Sequence, residues 1–134
     1  MAHEKRYAPP TAARYAASAR AGTKTFWHQR ITSVAGIPLT IAFIAIVIAL
    51  LGRNHAATVQ ILGSSPIAIL MILFIATIVY HMWIGMQEII IDYVHGTTAK
   101  YLALFGNMFF CAATGLASIT STIVLWVAGY FFVG

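Results

Sequence analysis

Charge is scarce in this chain: charged residues are 8% of the 134, and only three residues are acidic. Soluble domains carry about 25% charged residues, so a water-covered globule is excluded. Cysteine is nearly missing as well. With Cys111 alone, the chain holds no internal disulfide, no four-cysteine iron–sulfur site and no C-x-x-C-H attachment for a c-type haem. P-loop, G-x-G-x-x-G and H-E-x-x-H strings do not occur, which removes nucleotide and zinc-hydrolase chemistry. Glycine/serine linkers, internal repeats and low-complexity tracts are absent too, so nothing marks off a separate soluble domain.

Apolar residues take the place of charge, at 60% of the chain. They fall into three runs, Ile31 to Leu51, Pro66 to Ile91 and Tyr101 to Val133. Each exceeds the roughly 20 residues that carry a helix across a bilayer. The pattern predicts an all-α membrane protein with three transmembrane helices, over residues 31–51, 66–91 and 101–131. These form one bundle in a membrane domain, residues 26–134, behind a basic arm, residues 1–25.

The net charge of +5 is concentrated at one end. Lys5, Arg6, Arg14, Arg20, Lys24 and Arg30 precede the first span, and only Arg53 and Lys100 follow. By the positive-inside rule the N-terminus is cytoplasmic, the 52–65 loop faces outward, the 92–100 turn faces inward and the C-terminus is extracytoplasmic. Such a distribution fits a lipid membrane surface and argues against nucleic acid as partner. No apolar stretch precedes Ile31, so a cleaved secretory signal is not expected. Arginine, serine and few acids would suit a mitochondrial transit peptide, whereas Glu4 and Pro9-Pro10 favour an uncleaved cytoplasmic arm. A bacterial inner membrane is therefore expected, with the mitochondrial inner membrane as the alternative.

The first span opens on Phe26-Trp27-His28-Gln29-Arg30, residues suited to a headgroup boundary. Ser33, Gly36 and Thr40 follow at helical spacing, a small-residue stripe for close helix packing. Pro38 is expected to bend this helix, with neighbours satisfying the freed carbonyl. Cys111, Gly115, Ser118 and Thr122 make a similar packing stripe on the third span. That span ends in Trp126, Tyr130, Phe131 and Phe132, an outer aromatic belt.

The second span is the one that carries chemistry. His81, Gly85, Glu88 and Asp92 recur at i, i+4, i+7 and i+11, along one helical face. His81 lies roughly 16 Å along the helix from Asp92, which puts it near the midplane of a ~30 Å hydrocarbon core. Ionisable groups at that depth are costly and point to function. The plainer reading is a polar face buried between helices, with His81 satisfied by a carbonyl or hydroxyl. Gly85, one turn away, removes bulk where a flat ligand could approach.

The string His81-x-Trp83-Ile84-Gly85-Met86-Gln87, followed by Asp92-Tyr93-Val94, resembles the second helix of the small cytochrome b-type membrane anchor of succinate dehydrogenase, complex II. Arg30-Ile31-Thr32-Ser33 and the layout of a basic arm with three helices also resemble that family. The resemblance implies that His81 is an axial ligand of haem b iron and that Tyr93 and Asp92 line a ubiquinone site. It implies, more loosely, that Arg30 lies near the haem propionates or the quinone. It further implies three partners: a second membrane-anchor subunit supplying the other haem histidine, an iron–sulfur subunit and a flavoprotein subunit. On this reading the chain is part of an enzyme and not one alone. A fumarate-reductase anchor is the alternative within the class.

Elementary chemistry agrees with these roles. Neutral imidazole is a good iron ligand. His28 and His95 are expected at the cytoplasmic boundary, ~16–20 Å above His81 by helix rise, and His55 in the outer loop, so one chain does not supply two haem ligands. Quinone reduction takes up protons, which a tyrosine hydroxyl beside a carboxylate can donate or relay. For Asp92-Tyr93 the plain alternative is an ordinary helix terminus at the membrane surface. Tyr80 and Trp83 are expected to serve in packing or lipid contact. The rival from another class is a structural or transport bundle without haem.

Overall fold

A computed structural model describes residues 12–133, with side chains over 22–131. Lys5, Arg6 and the paired prolines, with the side chains of Arg14, Arg20 and Phe132, lie outside these limits. Among the described residues the chain is helical and has no strand: α1 Ala12–Leu50, α2 His55–Leu62, α3 Ser65–Tyr93 and α4 Thr97–Val133. Three stretches are long and apolar enough to cross a membrane, Gly22–Leu50, Ser65–Tyr93 and Thr97–Phe131. A helix of 29 residues is about 43 Å long, so its ends reach past a ~30 Å hydrocarbon core into the headgroup zone. The chain is an all-α membrane protein with three spanning helices.

Local chemistry sets the element ends. α1 starts well ahead of the apolar run that opens at Ile31 and continues through Pro38. It stops before Gly52, whose φ of +74° is one that glycine adopts without cost. The 52–65 segment, expected as a loop, contains α2. Asn54 caps it by accepting from the Ala57 amide at 2.9 Å. Eight residues are too few to register as a span, so hydropathy passed over this helix. α3 opens with Pro66 in its first turn, where a missing N–H leaves no bond unmade.

α3 is the central element. α4 packs along one side of it, α1 along another, and α2 docks on α4 while touching α3. α1 and α4 do not pack together to any comparable extent, so the expected bundle is an open row of helices. α1 runs antiparallel to α3, since Thr32 pairs with His81 while Phe43 stacks on Phe74 at 4.5 Å.

The interior is correspondingly small: Ala68, Ile84, Ile90 and Cys111 are its buried apolar residues. The α3–α4 seam uses the stripe expected for it, with Cys111, Gly115 and Thr122 buried. A methyl group added at Gly115 would stand 3.2 Å from Val79. Asn107 reinforces the seam by donating to the Trp83 carbonyl at 3.0 Å, while its own oxygen accepts from the Cys111 thiol at 3.4 Å. At the far end α2 meets α4 backbone to backbone: a Cβ on Gly63 would lie 2.6 Å from the Gly129 Cα. Tyr130 and Phe131 of the aromatic belt are exposed, and the Trp126 indole donates to Ser65 at 3.0 Å.

Candidate functional site

His81 is half-buried where α3 meets α1, and its Nδ1 lies 2.9 Å from the Thr32 hydroxyl. That hydroxyl also lies 2.9 Å from the His28 carbonyl and 3.0 Å from the Gln29 carbonyl, the usual back-bond of threonine in a helix. A hydroxyl has one proton. With that proton on a carbonyl, the Thr32 oxygen accepts from Nδ1–H, and the imidazole carries its free lone pair on Nε2. A protein acceptor on one ring nitrogen is the usual way to orient the other toward a metal.

The same interface holds a cavity of about 440 Å³, lined by His81 and Ile78 of α3 and by Thr32, Ser33, Gly36, Ile37, Thr40 and Ile41 of α1. The small-residue stripe of the first span, expected to pack against a helix, instead walls this space. A Cβ built on Gly36 meets nothing within 4 Å. Periodicity found the face but not what it faces. Arg30 is exposed, three residues before Ser33 on that face, with its guanidinium 4.4 Å over the Phe26 ring.

Two expectations about α3 change. Gly85 does not line the cavity; it faces Gln29, whose Nε2 would stand 3.7 Å from an added Cβ, an ordinary contact distance. His28 is not 16–20 Å above His81. It lies four residues from Thr32, about 6 Å along the axis, because α1 sinks deeper against α3 than its hydropathy limits suggest. Its ring nevertheless turns to another side of α3, where Nδ1 lies 3.0 Å from the Tyr80 hydroxyl, and it takes no part in the cavity. Tyr80, expected to serve in packing or lipid contact, is thus also a hydrogen-bond partner.

Asp92 and Tyr93 end α3 at the same end as the N-terminal part of α1, and both are exposed, Tyr93 to 78%. Close by, the Lys100 ammonium donates to the Ile91 carbonyl at 2.8 Å. His81 and Tyr93 are not brought together: twelve residues of helix separate them by about 18 Å. Asn107, not singled out by sequence, is the polar group that ties α4 to the backbone of this helix. An isolated asparagine inside an apolar run was the signal for it.

Among the described residues no three His, Cys, Asp or Glu side chains converge to hold a bare metal ion. One imidazole, that of His81, lines the cavity at the α1–α3 interface.

No curated protein and no solved structure matches the chain. The family of succinate dehydrogenase/fumarate reductase transmembrane subunits does match, over residues 4–117, which takes in α1, α2, α3 and the first half of α4. With three apolar spans and a match over most of its length, the chain belongs to the succinate dehydrogenase/fumarate reductase transmembrane subunit family.

Proposed function

We propose that this chain is a membrane-anchor subunit of succinate dehydrogenase, holding one side of a haem b through His81 and contributing Tyr93 and Asp92 to a ubiquinone-reduction site. The observation that carries the reading is the pairing of His81 Nδ1 with Thr32 beside the 440 Å³ cavity. The residues fit the group. The cavity is in the size range of small-molecule pockets. Its walls are largely apolar apart from three hydroxyls, and Gly36 leaves it open from the α1 side. His81 would supply a nitrogen ligand to the iron, Thr32 would hold its ring, and Arg30, about 3 Å of helix from Thr32, would reach a propionate with its long side chain. A bound haem would supply a one-electron redox centre in the membrane. With one histidine of this chain at the cavity, a further iron ligand would come from a second membrane-anchor subunit.

The charge distribution supports a cytoplasmic N-terminus, which puts Tyr93 and Asp92 on the side of the iron–sulfur and flavoprotein subunits. At that end a quinone carbonyl would meet the Tyr93 hydroxyl as hydrogen-bond donor, with Asp92 beside it to orient the donor or pass on a proton. This chain binds and orients; dicarboxylate oxidation belongs to the flavoprotein subunit.

Two measurements test the reading. A reduced-minus-oxidised spectrum of the purified complex should show a b-type α band. Its absence leaves a structural bundle in which His81 is merely buried. A reporter fused after Gly134 should read extracytoplasmic and one in the 94–100 turn cytoplasmic; the reverse result would detach Tyr93 from the electron donors. The ratio of succinate oxidation to fumarate reduction in the same complex separates the two activities of the family.

A further inference from the structure

Tyr80 and His81 are successive residues of α3, and each has a partner on α1. His81 Nδ1 lies 2.9 Å from the Thr32 hydroxyl, and the Tyr80 hydroxyl lies 3.0 Å from Nδ1 of His28. Those partners stand one turn apart, since the Thr32 hydroxyl also lies 2.9 Å from the His28 carbonyl. The two contacts fall on different sides of the α1–α3 seam. Thr32 and His81 line the 440 Å³ cavity, whereas Tyr80 and His28 line a recess of about 210 Å³ with Lys24, Trp83 and Gln87. At about 100° per residue, Tyr80 and Gln87 share one side of α3, and Ile78 and His81 another. The His28 contact is indifferent to tautomer: a bare Nδ1 accepts from the Tyr80 hydroxyl, and an Nδ1–H donates to the same oxygen.

We propose that Tyr80 and His28 are a positioning pair that sets the plane of the His81 imidazole. The inference deepens the reading of His81 as an iron ligand and rests on it. A ring bound through Nε2 can still turn about its bond to the metal, and its Nδ1 partner is what stops it. Here the ring hangs from α3 and the partner oxygen from α1, so the plane of the ring follows the position of one helix against the other. One hydrogen bond leaves α1 free to roll about it; a second, on another side of the seam, removes that freedom. α3 is held on its other side, where Asn107 of α4 donates to the Trp83 carbonyl at 3.0 Å. The Phe43–Phe74 stack lies eleven residues from Thr32 and beyond Pro38, which leaves the Val34 carbonyl without its helix donor. It therefore lends little stiffness to the Thr32 turn, and the Tyr80–His28 contact supplies it.

The test is the electron paramagnetic resonance spectrum of the oxidised, assembled complex, because the largest g value of a low-spin haem follows the angle between its axial imidazole planes. Tyr80→Phe keeps the ring, whose centroid lies 5.8 Å from that of Trp83, and deletes one oxygen. It should shift and broaden that signal while the haem stays low-spin. His28→Leu should do the same. His28→Asn, which places an amide near the position of Nδ1, should restore the parent signal. Haem retention under dilution should fall by at most about tenfold in Tyr80→Phe, the weight of one neutral hydrogen bond. A Tyr80→Phe or His28→Leu signal with the parent's position and width overturns the proposal. So does a variant that no longer holds haem, or a His28→Asn signal no closer to the parent's than that of His28→Leu. A parent complex without low-spin haem overturns the ligand reading and this inference with it, so the two failures are told apart in one series.

Discussion

His81→Ala is expected to abolish the low-spin, bis-histidine spectrum of the complex. One axial position opens, and the iron keeps only the ligand from the second anchor subunit. Haem is still partly retained, because burial of an apolar macrocycle and the remaining ligand persist, so the spectrum is the decisive readout and haem content is secondary. Thr32→Val makes a graded companion. It preserves side-chain shape and the cavity wall but removes the oxygen that lies 2.9 Å from His81 Nδ1. Loss of such a supporting partner typically weakens metal binding about 10–100-fold, so Thr32→Val should lower haem retention under dilution while leaving the bound haem low-spin. An unchanged spectrum in a fully loaded His81→Ala complex would end the ligand assignment. Normal retention in Thr32→Val would leave that assignment intact and remove the supporting role of the hydroxyl.

Much of this architecture was legible in the sequence because the bilayer simplifies it. Three runs of apolar residues at spanning length leave few choices, and each of Ile31–Leu51, Pro66–Ile91 and Tyr101–Val133 overlaps one spanning helix, although the first of these helices begins earlier, at Gly22. The seam of Cys111, Gly115 and Thr122 was legible too, since small residues at helical spacing let backbones approach. The same rule failed for Ser33, Gly36 and Thr40. Small residues reduce bulk equally well for a neighbouring helix and for a cavity, and only the placement of α3 tells the two apart. Gly85 lies near Gln29 of α1, a neighbour that periodicity along α3 does not indicate. Helix rise measures separations along one helix but not the offset between helices, which is why His28 lies nearer His81 than expected. The short α2 escaped because hydropathy averages over windows longer than the helix, although Asn54 was a usable cap signal. The surroundings of Asp92 and Tyr93 were the least legible. Both are exposed at the end of α3, and no described helix of this chain covers them.

Tyr93→Phe should slow quinone reduction by the assembled complex about 30- to 1,000-fold while sparing everything upstream. The substitution keeps the ring at the membrane boundary and deletes only a hydroxyl. With Tyr93 78% exposed, that hydroxyl contributes little to the fold, and substitutions at such surface positions usually shift stability by less than about 0.5 kcal/mol. A hydrogen bond to a quinone carbonyl is different, because it strengthens as negative charge develops on the oxygen. Removing a donor of that kind raises a barrier by about 2–4 kcal/mol, which is the stated slowing. Twelve residues of helix, about 18 Å, separate Tyr93 from His81, so the two substitutions should act independently. The haem spectrum of Tyr93→Phe should therefore match that of the parent complex. Succinate oxidation with an artificial acceptor that takes electrons before the quinone should also be unchanged. A fall in both assays would point to damaged assembly, and normal quinone turnover in an intact complex would reduce Tyr93 to an interface anchor. A fall confined to quinone reduction is the outcome that a hydroxyl bonded to the reacting oxygen requires.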